Sequence, residues 1–305
     1  MTSIDDDLAK LQTERQNDAH HDLDTWSVHE IATAMNALDR EVADAVATQL
    51  DQITAATELI ISSQRAGGRL IYVGAGSAGR LGVLDAAECG PTFGVSPGQV
   101  LALVAGGFGA VTSAVEAAED NYEAGYDAIM GIGVGHDDVV VGVSASGRTP
   151  YVLGAFTAAH RQDAATVAVV NNPDTAIANA AGLAIEAVTG PELITGSTRL
   201  KAGTAQKMVL NMLSSISMIK LGHTYGNLMV DVRVSNEKLR SRAASIVRDI
   251  TGATTEQALE ALNASGDKAK VAAIMLSAGI DAHHANERLE CYAGNLRAAL
   301  AQGES

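Results

Sequence analysis

Aromatic side chains are scarce: three Phe, six Tyr and one tryptophan, Trp26, make up 3% of a 305-residue chain. That excludes a stacking platform for single-stranded nucleic acid or a sugar-binding aromatic surface, and leaves core volume to aliphatic side chains. Cysteine is nearly absent. Cys89 and Cys291 fit no CxxC or zinc-ligand spacing, which excludes a disulfide framework, implies no metal and fits a reducing compartment. Basic residues are also few, with 21 Lys+Arg against 36 Asp+Glu and a net charge of −15. Nucleic acid and anionic membrane are therefore poor partners, since no basic concentration offsets the repulsion. No apolar run approaches the roughly 18 residues of a membrane span. The start, MTSIDDDLAKLQTERQND, is acidic and polar where a signal peptide is basic and then apolar. We expect a soluble, cytoplasmic protein.

What is present is a globular composition, 47% hydrophobic and 19% charged, long enough for one large domain or two modest ones. After a polar stretch over residues 1–24, Thr25 or Ser27 can cap a helix with apolar positions at Ile31, Met35, Leu38, Val42, Val46 and Leu50. This reads as one long helical lead-in ending near Gln64–Gly68. The period then changes. Arg69–Val73, Val100–Val104, Val139–Val143 and Thr166–Val170 are short β-branched runs without alternation, as expected of strands covered on both faces, and Leu183–Val188 can add a fifth. Helical stretches between them, such as Ser77–Glu88, predict a parallel α/β sandwich. Lys201–Leu221 reads as a long buried helix, and 236–250, 254–263, 267–277 and 281–300 as short helices, with a domain change near 235.

Three glycine- and hydroxyl-rich turns stand where strands or loops meet helices. Gly74-Ala-Gly76-Ser-Ala-Gly79 matches GxGxxG after a strand, but the second strand ends Leu103-Val-Ala-Gly-Gly107 without the ribose-binding carboxylate of a dinucleotide site. What survives is a turn offering backbone N–H groups and a helix N-terminus to an anion; a turn chosen for packing is the plain alternative. Ser144-Ala-Ser146-Gly147-Arg148-Thr149-Pro150 follows the third strand on the same sheet edge, so the two loops together suggest a phosphosugar cradle. Thr195-Gly-Ser-Thr198-Arg199-Leu-Lys201-Ala-Gly203-Thr204 adds hydroxyls and two bases, which neutralise a phosphate or pair with the acidic surface.

Carboxylates supply the chemistry. Glu88, in Leu84-Asp-Ala-Ala-Glu88-Cys89, is flanked by uncharged residues through Phe93, and apolar surroundings would raise its pKa and suit a general acid. Glu116, Glu119, Asp120 and Glu123 fall at i, i+3, i+4 and i+7, an acidic stripe more in keeping with a solvated helix face. The adjacent pairs His20/His21 and His283/His284 lack the i, i+4 spacing of a helical metal pair.

Five separated words, Gly74-AGSAGRLGVLDAAECGPTFGV, Ala114-VEAAED, Ser144-ASGRTPYV, Thr195-GSTRLKAGTAQKMVLNMLS and Gly226-NLMVDV…NEKL, together with Leu11-QTERQND, resemble the N-acetylmuramic acid 6-phosphate etherase family, members of the SIS fold. The resemblance implies cleavage of the lactyl ether of N-acetylmuramic acid 6-phosphate by water, giving N-acetylglucosamine 6-phosphate and D-lactate in cell-wall recycling, without metal or organic cofactor. It assigns Glu88 as the acid and Glu119 as the base at C2, with Glu116 the alternative one helical turn away. It places phosphate contacts on Ser77, Ser144, Ser146 and Thr149, with backbone help at Gly76 and Gly147; beside these, Lys201 is read from its own position as a short-range base for the phosphate. Two departures stand out. Ala78 replaces one hydroxyl of the family's Gly-Thr-Ser-Gly-Arg, and Gly90 replaces the first proline of Cys-Pro-Pro-Thr, loosening the turn beside Glu88.

From this we expect an N-terminal helical arm (1–50), an SIS phosphosugar-binding domain (51–235) and a C-terminal helical subdomain (236–305). With one SIS domain per chain, a homodimer with shared active sites follows. An aldose–ketose isomerase of the same fold and a non-catalytic phosphosugar-binding regulator are the competing readings.

Overall fold

The computed structural model describes residues 11–234 and 236–301. Residues 1–10 of the expected arm, Ser235 at the expected domain change and residues 302–305 lie outside the described residues. The chain divides into two compact units, 1–87 with 98–214, and 88–97 with 215–305. The division thus falls within a helix, at Ser214/Ser215, upstream of the boundary expected near 235.

The first unit opens with α1 (Val28–Ala47) and α2 (Leu50–Arg65). Ser27, not Thr25, caps α1, and it does so through a capping box with Glu30. The single lead-in helix expected here is two, interrupted at Thr48–Gln49 with no glycine or proline to signal it. A five-stranded, wholly parallel sheet follows, ordered β2-β1-β3-β4-β5: β1 (Leu70–Gly74), β2 (Val100–Val104), β3 (Val139–Ser144), β4 (Ala165–Val170) and β5 (Leu183–Glu186). β1 and β3 are buried along their whole length, which is why their sequences are apolar without alternation. Between the strands lie α3 (Gly76–Phe93), α4 (Gly109–Thr112), α5 (Tyr122–Gly131), α6 (Pro150–Arg161) and α7 (Ala176–Ala180), and after β5 comes the long α8 (Lys201–Lys220). The core on one side of the sheet gathers Ile71, Val73, Ile129, Val140, Val152, Phe156 and Ile177. Gly90 does not loosen its turn as expected: α3 continues through Gly90 and Pro91 to Phe93.

A buried carboxylate ties the entries of β1 and β3. Asp138 Oδ1 accepts from Arg69 N (2.8 Å) and Nε (3.0 Å), while Oδ2 accepts from Arg69 Nη2 (2.6 Å) and Gly135 N (2.9 Å). Burial works to raise this carboxyl, but the Arg69 hydrogen bonds and charge and the Gly135 N–H outweigh it and hold it below the ordinary range. A group with a lowered folded pKa stabilises above its unfolded pKa of about 3.9 and loses that contribution as pH falls through the folded value. Asp138→Ala should therefore cost about 2–3 kcal/mol at pH 7. Urea unfolding should show that gap narrowing as pH falls below about 3.9 and through the lower folded value, where the wild type loses the same contribution.

The second unit holds a short hairpin, β6 (Thr224–Tyr225) and β7 (Leu228–Met229), turned at Gly226 with φ +58°, and helices α9 (Glu237–Thr251), α10 (Thr255–Ala264), α11 (Ala269–Ala278), α12 (Ala282–Cys291) and α13 (Leu296–Ala301). Val230, Ala243, Val247, Leu262, Ala272, Ile274 and Leu296 form its core. The helix expected over 281–300 is two, separated where Ala293 and Gly294 take positive φ. Among the described residues no helix is long and apolar enough to cross a membrane.

Candidate active site

The strand order places β1 and β3 side by side at the centre, and their onward crossovers run in opposite directions, to β2 and to β4. At such a switch point the loops leaving the two strands part and open a crevice at the carboxyl ends. The register pairs Gly74 with Val143, so the two hydroxyl-bearing loops leave the sheet together.

The first loop turns into α3 at Gly76, whose φ of +53° suits glycine. A Cβ on Gly79 would lie 2.7 Å from the Gly74 carbonyl oxygen, so only glycine lets the helix start pack onto the strand end. The second loop is organised by Ser144. Its Oγ lies 2.8 Å from Thr149 Oγ1 and 3.4 Å from Ser146 Oγ, and accepts from Gly147 N at 3.1 Å. Pro150 opens α6 directly after it. Gly147 has φ +66°, and a Cβ there would meet Thr175 Oγ1 at 2.3 Å. Gly147→Ala should therefore cost more than about 1 kcal/mol and displace the loop; a thermal melt would register the loss of stability, and amide NMR shifts the displacement.

The loops enclose a cavity of about 270 Å³ lined by Ala75, Gly76, Ser77, Ala78, Ser144, Ala145, Ser146 and Thr149, with Glu14, Glu119, Thr198 and Gln206 completing the wall. Five of the seven residues expected to contact phosphate thus meet in one space, together with Glu119. The N-termini of α3 and α6 both open onto it, where unpaired N–H groups and the helix dipole favour an anion. Ala78 presents a methyl group where the family resemblance led us to expect a hydroxyl; Thr198 contributes a hydroxyl to the same cavity.

The acidic stripe dissolves on folding. Ala117 takes φ +57°, and Glu119 sits on a 3-10 turn, Ala118–Asp120, ahead of α5, so the four acids do not share one helix face. Glu119 lines the cavity, and among the described residues no hydrogen-bond or ion-pair partner occupies its carboxylate. Glu116 is exposed and outside the cavity wall.

Other assignments fall elsewhere. Gly147 shapes the second loop without lining the cavity. Lys201 is buried, with Nζ 3.4 Å from Glu41 Oε2, and its backbone N–H and that of Ala202 are capped by the buried Glu192 carboxylate at 2.9 and 3.0 Å. That internal anion fills the N-terminus of α8, and Lys201 is not among the residues that line the cavity. Glu88 is exposed near the end of α3 and is not among the cavity-lining residues, so among the described residues it lacks the apolar enclosure expected around it. One turn earlier on the same helix, burial pushes the Asp85 carboxyl up, and hydrogen bonds from Tyr72 Oη (2.8 Å) and Ser214 Oγ (3.0 Å) and the Lys207 charge offset only part of that.

Sequence reasoning missed Glu14 and Gln206. Glu14 reaches the cavity because Asn172 clamps the segment before it: Asn172 Oδ1 accepts from Gln12 N (2.6 Å), and its Nδ2 donates to Thr13 Oγ1 (2.9 Å) and to Ala145 O (2.8 Å). Gln206 is buried on α8 with Nε2 donating to Asn171 Oδ1 at 2.9 Å, which leaves its amide oxygen as the remaining acceptor. The Leu11-QTERQND word was the one sequence signal that pointed at Glu14.

Family models match three stretches of the chain: the N-terminal SIS domain of glucokinase regulatory protein over residues 52–160, the SIS domain over 110–216, and the C-terminal lid domain of glucokinase regulatory protein over 226–291. The chain is 53% identical to the N-acetylmuramic acid 6-phosphate etherase of Mycolicibacterium smegmatis, over 97% of this chain and 100% of that protein. It is 51% identical to the etherase of the same name from Rubrobacter xylanophilus, over 98% and 99%, and 52% identical to that of Streptomyces avermitilis, over 98% and 96%.

Proposed function

The chain belongs to the N-acetylmuramic acid 6-phosphate etherase family of lyases, and from that membership we propose that it cleaves the D-lactyl ether of N-acetylmuramic acid 6-phosphate with water, giving N-acetylglucosamine 6-phosphate and D-lactate. The observation that carries the reading is one cavity lined both by Glu119, whose carboxylate has no partner among the described residues, and by hydroxyls at two helix N-termini.

The phosphate sits among Ser77, Ser144, Ser146 and Thr149, held by short-range donors and not by the long-range field, which at −15 repels it. The sugar reacts as its open-chain aldehyde, whose carbonyl acidifies the C2 proton. Glu119 takes that proton, the C3–O bond breaks, and Glu88 protonates the departing lactate oxygen. Water then adds at C3 of the unsaturated aldehyde and C2 regains a proton, which balances the reaction with one water consumed. These steps require no metal or organic cofactor. The protein works as a homodimer with shared sites: Glu88, exposed on its own chain, serves the cavity of a second copy.

Incubating the protein with N-acetylmuramic acid 6-phosphate and detecting lactate by mass spectrometry tests the reading. Isomerised sugar without lactate would make it an isomerase, and tight binding without turnover a regulator.

A further inference from the structure

The proposed substrate carries two anions, a phosphate at C6 and a carboxylate on the lactyl arm at C3, and the hydroxyl cavity accounts for one of them. Beside that cavity, between the first turns of α3 and α8, lies a second recess of about 430 Å³ whose wall includes Ser77, Arg80, Arg199, Thr204 and Lys207. Ser77 belongs to both walls, so the two spaces adjoin. In a chain with 21 Lys+Arg against 36 Asp+Glu, the described residues that line this recess include three cations and no carboxylate.

Each cation stands differently. Arg80 is anchored on backbone carbonyls, with Nε donating to Ala110 O at 3.0 Å and Nη2 to Ser113 O at 3.2 Å, which fixes its guanidinium without neutralising it. Lys207 Nζ lies 2.9 Å from the Asn211 amide oxygen when that amide is oriented to donate to Asp85 Oδ1, and its charge is felt by Asp85. Arg199 is exposed, and among the described residues its side chain has no hydrogen-bond or ion-pair partner.

We propose that this recess binds the lactyl carboxylate, with Arg199 as its direct partner through the planar fork that matches a carboxylate, and with Arg80 and Lys207 supplying the local positive field. The recess then distinguishes a lactyl ether from a plain hexose phosphate. The inference rests on the etherase reading. Because the carboxylate keeps its charge from the bound substrate to the departing lactate, contact with it stabilises ground and transition states alike and belongs in KM, not in kcat.

The test is Arg199→Gln, with kcat and KM measured on N-acetylmuramic acid 6-phosphate and inhibition measured with N-acetylglucosamine 6-phosphate, which has the phosphate and no carboxylate. KM should rise about tenfold, with kcat and the product's inhibition constant each within about twofold of wild type, and Arg199→Lys should recover part of the loss. An unchanged KM overturns the proposal, as does product inhibition that weakens in step with KM, since Arg199 would then serve the phosphate or the scaffold. Wild-type protein run alongside separates the two possible failures. No lactate from wild type removes the etherase reading and this inference with it, whereas normal wild-type turnover with an unaffected Arg199→Gln variant removes this inference alone.

Discussion

Glu119→Gln should reduce lactate release by about a thousandfold, the middle of the range for losing a positioned general base. The variant keeps the shape of the 3-10 turn and of the cavity wall, since Glu119 makes no structural contact that Gln would lose among the described residues. It should therefore still bind N-acetylglucosamine 6-phosphate with near wild-type affinity. In deuterated water, wild-type protein should exchange the C2 proton of that product and the variant should not. Exchange at the wild-type rate would remove Glu119 from the role of base and bring Glu116 back as the candidate.

Glu88→Gln should be comparably inactive in lactate release while retaining C2 exchange, because it loses the acid that assists departure from C3 and not the base at C2. Its position allows a sharper measurement. Glu88 is exposed on its own chain and Glu119 lines that chain's cavity. If each site combines Glu119 of one copy with Glu88 of the other, mixing the two inactive variants restores activity. Random exchange of subunits makes half the dimers mixed, each with one intact site, so activity should return to about a quarter of wild type. Mixed protein that stays inactive after verified exchange would place both glutamates on the same copy.

The sheet was legible because its strands are buried on both faces: β2 falls on Val100–Val104 as read, and β1, β3 and β4 shift by a residue at one end or both. The hydroxyl loops were legible because parallel topology forces the ends of β1 and β3 to one edge. What sequence could not give has physical causes. Residues 116–123 satisfy helical spacing, but Ala117 adopts a left-handed conformation that alanine does not announce, and this moves Glu119 off any helical stripe. The α1/α2 break has no glycine or proline to mark it. Lys201 reads as a phosphate ligand because its word is rich in hydroxyls and bases, and spacing gives no sign that Glu192, nine residues earlier, caps that helix end while Lys201 stays off the cavity wall. Glu14 and Gln206 enter the cavity through contacts between distant parts of the chain, with Asn172 holding Gln12 at a separation of 160 residues and Asn171 accepting from Gln206 at 35, and no local pattern encodes such clamps. The scarcity of bases told against polyanionic partners and gave no hint that three of the bases share one recess.

Isotope placement distinguishes elimination and hydration in the cavity between β1 and β3 from direct displacement at the lactyl group. With N-acetylmuramic acid 6-phosphate turned over in ¹⁸O-labelled water, breaking the C3–O bond leaves the ether oxygen on lactate, so the lactate should be unlabelled and the sugar product should carry ¹⁸O at C3. Lactate that carries the label would mean that water attacks the lactyl carbon, and would contradict the mechanism.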